Sequence, residues 1–390
     1  MAEKINLNAA ELKLCDHCLG RIYGMLGHGL TNAERGKAIR IMYAMEKNKD
    51  LPKKHDELCE LCGGIFTRLD EYAKYISTIL DEYEYSTFSV GSKFSEEILE
   101  REKRIIEEFS SPEYAEGIGR EFNRELGKRI SMLTGKEANI SNPDITVIVD
   151  TIYDDVHLEI KPLLIYGRYR KLVRGLPQTK WPSGKYRESV EEIIARPIME
   201  ITGGTGHALH GMGREDIDVR MLGNGRPFVI EIKRPRKRFL DLKELERIIN
   251  RYAEGKVEVT DLKFATKEDI RKIKETKAKK RYRVAVRVDA SEEEIKSALK
   301  KLKGKIRQRT PRRVAHRRAD KLRVREVYDI HLVAKENDAW VIEILAESGT
   351  YIKELMHGDE GRTRPSLAEI LGRDVEVVYL DVIEILDSQI

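Results

Sequence analysis

The sequence predicts an α+β protein. A small cysteine-bearing helical segment and an α+β module precede a mixed, largely antiparallel α+β domain. Three observations predict this. All four cysteines of the 390-residue chain fall within its first 62 residues, as two Cys-x-x-Cys pairs. Between residues 66 and 168 strand and helix patterns mix and end in paired strands. Beyond residue 169 strand-like runs recur with turn signals between them. The expected boundaries are 1–65, 66–168 and 169–390, and a chain of this length has room for two or three domains.

Hydrophobic residues make up 41% and charged residues 36% of the chain, as in a soluble globular protein with a heavily charged surface. No run approaches the roughly 18 apolar residues a membrane span requires. The opening "MAEKINLNAAELKLC" lacks a basic stretch followed by an apolar core, so a cytoplasmic location is expected. The net charge of +5 says little, but its distribution says more. Residues 271–283 hold eight basic side chains against one acidic, and residues 301–325 twelve against one. Basic charge concentrated in the C-terminal half points to a polyanion partner, although each run alone is more often a solvated face.

The first segment carries Cys15-x-x-Cys18 and Cys59-x-x-Cys62. Four thiolates form the soft tetrahedral set that Zn²⁺ prefers, and they leave no open coordination position, so a structural zinc is expected. Gly20, Gly63 and Gly64 follow the pairs closely and suit the turns of zinc knuckles. Disulfides fit poorly with a cytosolic chain. His17 and His55 read as surface residues. Residues 21–48 read as helix, with a start signal at Thr31 or Asn32.

In the second segment helices are expected at 66–86, 95–109 and 119–135, the last ending at a glycine cap. Strands are expected at 86–92, 144–151 and 156–165. In the third, helices are expected at 186–200, 240–253, 290–302 and 366–371. Strands are expected at 215–222, 227–233, 257–264, 281–288, 327–334, 338–347 and 375–386. The pair 215–222 and 227–233 is expected to close through the turn "GNGRP". No internal repeat or low-complexity segment is evident.

The loop "GGTGHALHGMG" at 203–213 lacks the strand-then-helix context of a dinucleotide site and the lysine of a P-loop. It reads as a place where backbone approaches a ligand, with His207 and His210 either touching it or serving as ordinary loop residues. Next comes "GREDIDVR" at 213–220. On a strand, Asp216 and Asp218 share a face with Arg214 and Arg220. Two neighbouring carboxylates need a cation to stay ionised. On this stretch alone an edge-strand ion pair, without a reaction, is the commoner explanation of the pattern.

Other stretches change the balance. "NPDITVIVD" followed by "HLEIKPLLIYGRYRKL" resembles the THUMP domain, an RNA-binding module of tRNA-modifying enzymes. "GREDIDVRMLGNGRPFVIEIKRP", "KKRYRVAV" and "ESGTYIKELMHGDEGRTRPSLAEILG" resemble three successive motifs of pseudouridine synthases, in the expected order. With "YRKLVRGLPQTKW" and "RTPRRVAHRRAD" the match is to the archaeal and eukaryotic tRNA pseudouridine synthases acting at positions 54 and 55. The cysteine knuckles and the THUMP-like module belong to the same architecture, so the resemblance spans essentially the whole chain. It implies that Asp216 is the nucleophile and that Tyr282 stacks on the uracil and is a candidate for taking the C5 proton. It implies that Lys353 pairs with the aspartate and that Tyr351 and Ile352 line the pocket. Arg214 is a second candidate cation, and Asp218 is left in a supporting position.

The residue types suit that chemistry. The N1–C1′ bond breaks, the base turns, and C5 rejoins the ribose, without net redox change, so no catalytic cofactor is expected. Whether the carboxylate attacks base or ribose stays open. The uridine must leave its stack, and an aromatic face such as Tyr282 contributes roughly 1–3 kcal/mol of stacking. Lys280, Arg281 and Arg283 would contact phosphate around Tyr282. Arg309, Arg312, Arg313, Arg317 and Arg318 would form a loop that orders only on RNA. The expected partner is tRNA, with the protein a monomer and its THUMP-like module holding a distant part of the tRNA. The competing readings are another THUMP-containing tRNA-modifying enzyme and a non-catalytic tRNA-binding protein.

Overall fold

The computed structural model describes residues 4–316 and 318–387. The chain forms two units, one of residues up to Lys161 with Arg236–Arg238, the other of Pro162–Pro235 and the residues from Phe239 onward.

The first unit begins around the cysteines. Cys15 caps α1 (Asp16–Arg21) by accepting a hydrogen bond from the Cys18 amide. Thr31 and Glu34 form a capping box at the start of α2 (Asn32–Lys47). The helix expected at 21–48 is thus split, because left-handed Gly27 and Gly29 interrupt the chain before Thr31. The two helices meet through glycines: a Cβ on Gly20 would lie 1.7 Å from the Asn32 carbonyl oxygen, and one on Gly36 2.1 Å from that of Asp16. Next come α3 (Leu69–Leu80), β1 (Thr87–Lys93), α4 (Glu96–Phe109), α5 (Ile118–Thr134), β2 (Glu137–Ala138), β3 (Ile145–Asp150) and β4 (Asp155–Ile160). The strands lie in the order β2-β1-β3-β4, with β1 parallel to β3 and β4 antiparallel to it. Ile145, Val147 and Val149 alternate inward, as period-two burial requires. They join Phe88, Phe122, Leu126, Ile130 and all four cysteines in one core. The strand expected at 156–165 stops at Ile160. Pro162 lacks the N–H that would continue the ladder, and residues from Leu163 enter the other unit's sheet.

The second unit contains β5 (Leu163–Lys171), α6 (Val190–Thr202), β6 (Gly206–Gly211), β7 (Arg220–Lys233), α7 (Leu242–Tyr252), β8 (Val257–Phe264) and α8 (Lys267–Glu275). It continues with β9 (Lys279–Arg287), α9 (Glu292–Leu302), β10 (Gly304–Arg309), β11 (Leu322–Glu336) and β12 (Ala339–Ala346). It ends with α10 (Ile352–His357), β13 (Thr363–Arg364), α11 (Leu367–Leu371) and β14 (Glu376–Leu386). The sheet runs β13-β10-β11-β12-β9-β14-β7-β5-β8, with β6 also on β7. All its pairings are antiparallel except the short one between β14 and β7.

Three expectations change here. The glycine-rich stretch at 203–213 contains a strand, β6, rather than a continuous loop. "GNGRP" does not close a hairpin but bends one continuous strand. Left-handed Gly223 and Gly225 let β7 pass from β14 to β5, and a Cβ on Gly223 would sit 1.7 Å from the Ile383 carbonyl oxygen. The expected strand at 215–222 is mostly an irregular turn, so period-two reasoning does not apply to Asp216 and Asp218.

Candidate active site

The turn that carries Asp216 is held from beneath by buried charge. Glu215, the residue before it, is 5% exposed. Its carboxylate accepts from the Tyr169 hydroxyl at 3.0 Å to each oxygen and lies 2.9 Å from Arg226 Nε and 3.9 Å from Lys171 Nζ. Lys171 Nζ donates to the carbonyls of Leu176, Asp216 and Ile217 at 2.8, 3.0 and 3.2 Å. Burial, opposed by Glu215, brings that ammonium down to about 8. Gln178 Nε2 donates to Tyr169 Oη at 2.8 Å and to the Gly213 carbonyl at 3.1 Å, and Arg226 Nη1 to the Met212 carbonyl at 2.6 Å. This network fixes the backbone on both sides of Asp216. Tyr169 and Lys171 sit two apart on β5 and so face the same way.

Arg226→Met leaves Glu215 with its more distant lysine and an uncompensated buried charge. The variant is expected to lose about 3–5 kcal/mol of stability, read as a lower melting temperature. A transition unchanged from wild type would contradict the anchoring described above.

Asp216 reaches a cleft of about 460 Å³ lined by Tyr282, Ile352, Val219, Leu380, Val382 and Lys280 among others. Its closest cation is Arg313, with Nη1 2.7 Å from Asp216 Oδ2. Arg313 is tied on its other side to buried Glu354, Nε to Oε1 at 2.6 Å. Lys353 Nζ lies 2.6 Å from Asp218 Oδ2 and 3.9 Å from Asp216 Oδ2. Burial raises the Asp218 carboxyl, and Lys353 with Arg313 outweighs it, holding the group below its ordinary value. The expected Lys353–aspartate pair is therefore mainly with Asp218, and Arg313 takes the place next to Asp216. Arg214 is exposed at the rim and forms no ion pair among the described residues, so it is not the neutralising cation. Arg220 turns to Asp381, Nη2 to Oδ2 at 2.7 Å.

Tyr282, Tyr351 and Ile352 all line the cleft, as expected. Burial pushes the Tyr282 hydroxyl up to about 12, so the phenol is neutral near pH 7. Buried Gln308 holds the backbone of Tyr351 in both directions, donating to its carbonyl and accepting from its amide at 2.9 Å each. Arg318 Nη1 donates to Tyr351 Oη at 3.1 Å.

The expected basic cluster around Tyr282 divides by strand alternation. Lys280 and Tyr282 face the cleft, and Lys280 is 7% exposed, so it is not a surface phosphate contact. Arg281 and Arg283 point away from it and pair with Glu384 at 3.0 Å and Glu343 at 2.7 Å. The arginine-rich segment is also not a free loop. Arg309 ends β10 and pairs with Asp320 at 2.9 Å, Arg312 pairs with Glu360 at 2.5 Å, and Arg313 enters the site. Arg317 lies outside the described residues. His207 pairs with Glu191 at 3.0 Å and His210 with Glu231 at 2.9 Å, and neither lines the cleft.

In the first unit the ligand atoms of Cys15, Cys18, Cys59 and Cys62 lie within 4.8 Å of one another, all buried and none disulfide-bonded. The Cys15 and Cys62 sulfurs are 3.8 Å apart, close to the edge of a tetrahedron with metal–sulfur bonds of about 2.3 Å. The donor set fits a closed zinc site. His17 stacks on Phe66 and pairs with Glu121 at 2.8 Å, so it is partly buried rather than a surface residue.

Glu215, Lys171, Arg226, Gln178 and Gln308 are not apparent from motif spacing. The one available signal is their type: charged or amide residues at inward positions of apolar strands, or next to a motif acid. Residues 164–386 match the family described as "Pus10, C-terminal", and residues 72–150 the "Pus10 THUMP domain, archaeal". The tRNA pseudouridine synthase Pus10 of Pyrococcus furiosus is 46% identical over 389 residues, spanning 99% of this chain and 98% of its own. Its namesake in Methanopyrus kandleri is 41% identical over 433 residues, spanning 100% and 99%. That of Methanothrix thermoacetophila is 41% identical over 414 residues, spanning 95% and 91%.

Proposed function

The chain belongs to the Pus10 family of tRNA pseudouridine synthases, and we propose that it isomerises uridine 54, uridine 55 or both in the TΨC arm of tRNA, with Asp216 as nucleophile. One observation carries the residue assignment. The Asp216 carboxylate stands at a cleft walled by Tyr282, Ile352 and Leu380, with the Arg313 guanidinium 2.7 Å away. The guanidinium sets a positive charge against the carboxylate where water is partly excluded, the counter-charge an anionic nucleophile needs. The Lys171 and Glu215 contacts hold its backbone, so little reorganisation is needed at the moment of attack. Tyr282 supplies the face on which the extruded base stacks, and its hydroxyl is placed to relay the proton that leaves C5.

Arg309, Arg312 and Arg318 are exposed, Arg318 lines this cleft, and all three suit phosphate contacts that position the arm without reading bases. The THUMP domain would hold a more distant part of the tRNA, with a structural zinc on Cys15, Cys18, Cys59 and Cys62 maintaining its knuckle segment. No helix among the described residues is long and apolar enough to cross a membrane. We read the protein as a cytoplasmic monomer.

The test is to incubate the purified protein with an unmodified tRNA transcript and map pseudouridine by carbodiimide adducts and primer extension. Product at 54, 55 or both is expected; product confined to another arm overturns the positional reading. Arg313→Ala is expected to lower the single-turnover rate about 10²-fold while tRNA affinity changes far less. An unchanged rate would reassign the neutralising role to Lys353.

A further inference from the structure

Lys280 is a buried cleft-lining cation that the proposed mechanism leaves without a task. It lies on β9 two residues before Tyr282, on the same face, with its side chain almost wholly buried. Among the described residues its ammonium has neither a hydrogen-bond nor an ion-pair partner. Its ammonium sits beneath the turn leading to Asp216, since a Cβ on Gly213 would lie 2.9 Å from Lys280 Nζ. Glu215 is the nearby acid, but it is already engaged by Tyr169, Arg226 and Lys171. A buried cation with no partner is costly unless something occupies the space in front of it. That space is where the nucleobase would stand, between Tyr282 and Asp216.

We propose that Lys280 is a further catalytic residue, whose ammonium neutralises the negative charge that develops on the target uracil. The proposal rests on the reading of Asp216 as nucleophile but does not depend on its point of attack. If a carboxylate oxygen bonds to C1′, the N1–C1′ pair stays on the ring and gives a uracil anion. If it bonds to C6, the C5–C6 π pair moves through C4 onto O4. Either way an exocyclic carbonyl oxygen of the base becomes anionic. The charge disappears when C5 bonds to C1′, the carboxylate departs, the C5 proton is lost and N1 gains one. A fixed cation aimed at that oxygen favours the transition state over the neutral ground state. The acceptor edge of a pyrimidine 2,4-dione is the chemistry that Lys280 recognises.

The test uses the full-length protein, with single-turnover rate and tRNA affinity measured separately for Lys280→Met. A rate loss of roughly 10²-fold with affinity held within about twofold is expected. An unchanged rate overturns the proposal, and so does weaker binding with a normal rate at saturation, because that marks a phosphate contact. The pH profile gives a second readout that needs no variant. Burial, reinforced by Arg226 and opposed by Glu215, brings the Lys280 ammonium down to about 7. Tyr282 lies on the same strand, and Asp216, Arg313 and Lys353 face it across the cleft. Above that pH the free enzyme carries a neutral amine, so wild-type kcat/KM should fall on an alkaline limb that Lys280→Met lacks. Lys280→Arg keeps a charge that does not titrate there and should restore part of the rate with a flat profile. A wild-type profile that is flat from pH 6 to 9 overturns the proposal. Asp216→Ala run alongside separates the two assignments: if it still isomerises uridine, the nucleophile reading has failed whatever Lys280 does.

Discussion

Asp216→Ala is expected to release no tritium from a tRNA transcript labelled at uracil C5, while wild type releases it in step with isomerisation. The expected loss is on the order of 10⁴-fold or more, because removing a nucleophile abolishes the covalent route rather than weakening it. Binding should survive. Affinity for folded RNA comes mainly from phosphate contacts, and the substitution deletes a negative charge and releases Arg313 from its 2.7 Å pair. Stability should change little, since the Asp216 side chain is 32% exposed and the fold-holding contacts are made by its backbone carbonyl and by Glu215. A melting curve checks this. Asp218→Ala is the matched control. Asp218 is paired with Lys353 at 2.6 Å, and its loss should cost less than about tenfold in rate, because it removes a supporting charge and not the attacking group. If Asp218→Ala were inactive and Asp216→Ala active, the roles of the two acids would be exchanged.

Cys18→Ser carries the second large effect. The purified wild type should hold one zinc per chain by atomic absorption, and the variant should hold markedly less and lose the cooperative melting of residues up to Lys161. The cysteines are not appended to this unit's core but belong to it, alongside Leu14, Leu19, Ile22, Tyr23, Leu61 and Phe66. α1 has only six residues, too few to be stable alone, and its cap is the Cys15 sulfur. Apparent zinc affinities of closed thiolate sites correspond to about 10–16 kcal/mol near neutral pH. That exceeds or matches the roughly 5–15 kcal/mol by which a whole domain is stable. His17 cannot readily substitute as a ligand, because Phe66 and Glu121 hold its ring. A wild type that contains no metal, with a variant of equal melting temperature, would rule out the zinc reading.

Local patterns carried a large share of this structure. The start signal at Thr31 or Asn32 marked the beginning of α2, and Gly135 marked the end of α5. The alternation at 145–149 marked a half-buried strand. The motif residues Asp216, Tyr282, Tyr351, Ile352 and Lys353, scattered along the chain, do converge on one cleft. Elements α8, β10 and α10 were not foreseen, because they are short and, in α8, charged residues occupy most positions. β6 was hidden by the glycines at both its ends and by its two histidines, which pattern reasoning assigns to a loop. Its strand state comes from pairing with β7, a partner that no local window contains.

The sequence by itself determined the cysteine knuckles, most of the longer helices and strands, and a set of side chains whose chemistry suits a uridine isomerisation. The tertiary structure alone decided which charges meet. Arg313 rather than Arg214 or Lys353 lies closest to Asp216, Lys280 is buried while Arg281 and Arg283 pair elsewhere, and Glu215 anchors the turn. The reason is physical. Periodicity and spacing act over a few residues, whereas an ion pair depends on cross-strand register and on where separate turns converge, and those are set by packing the whole sheet.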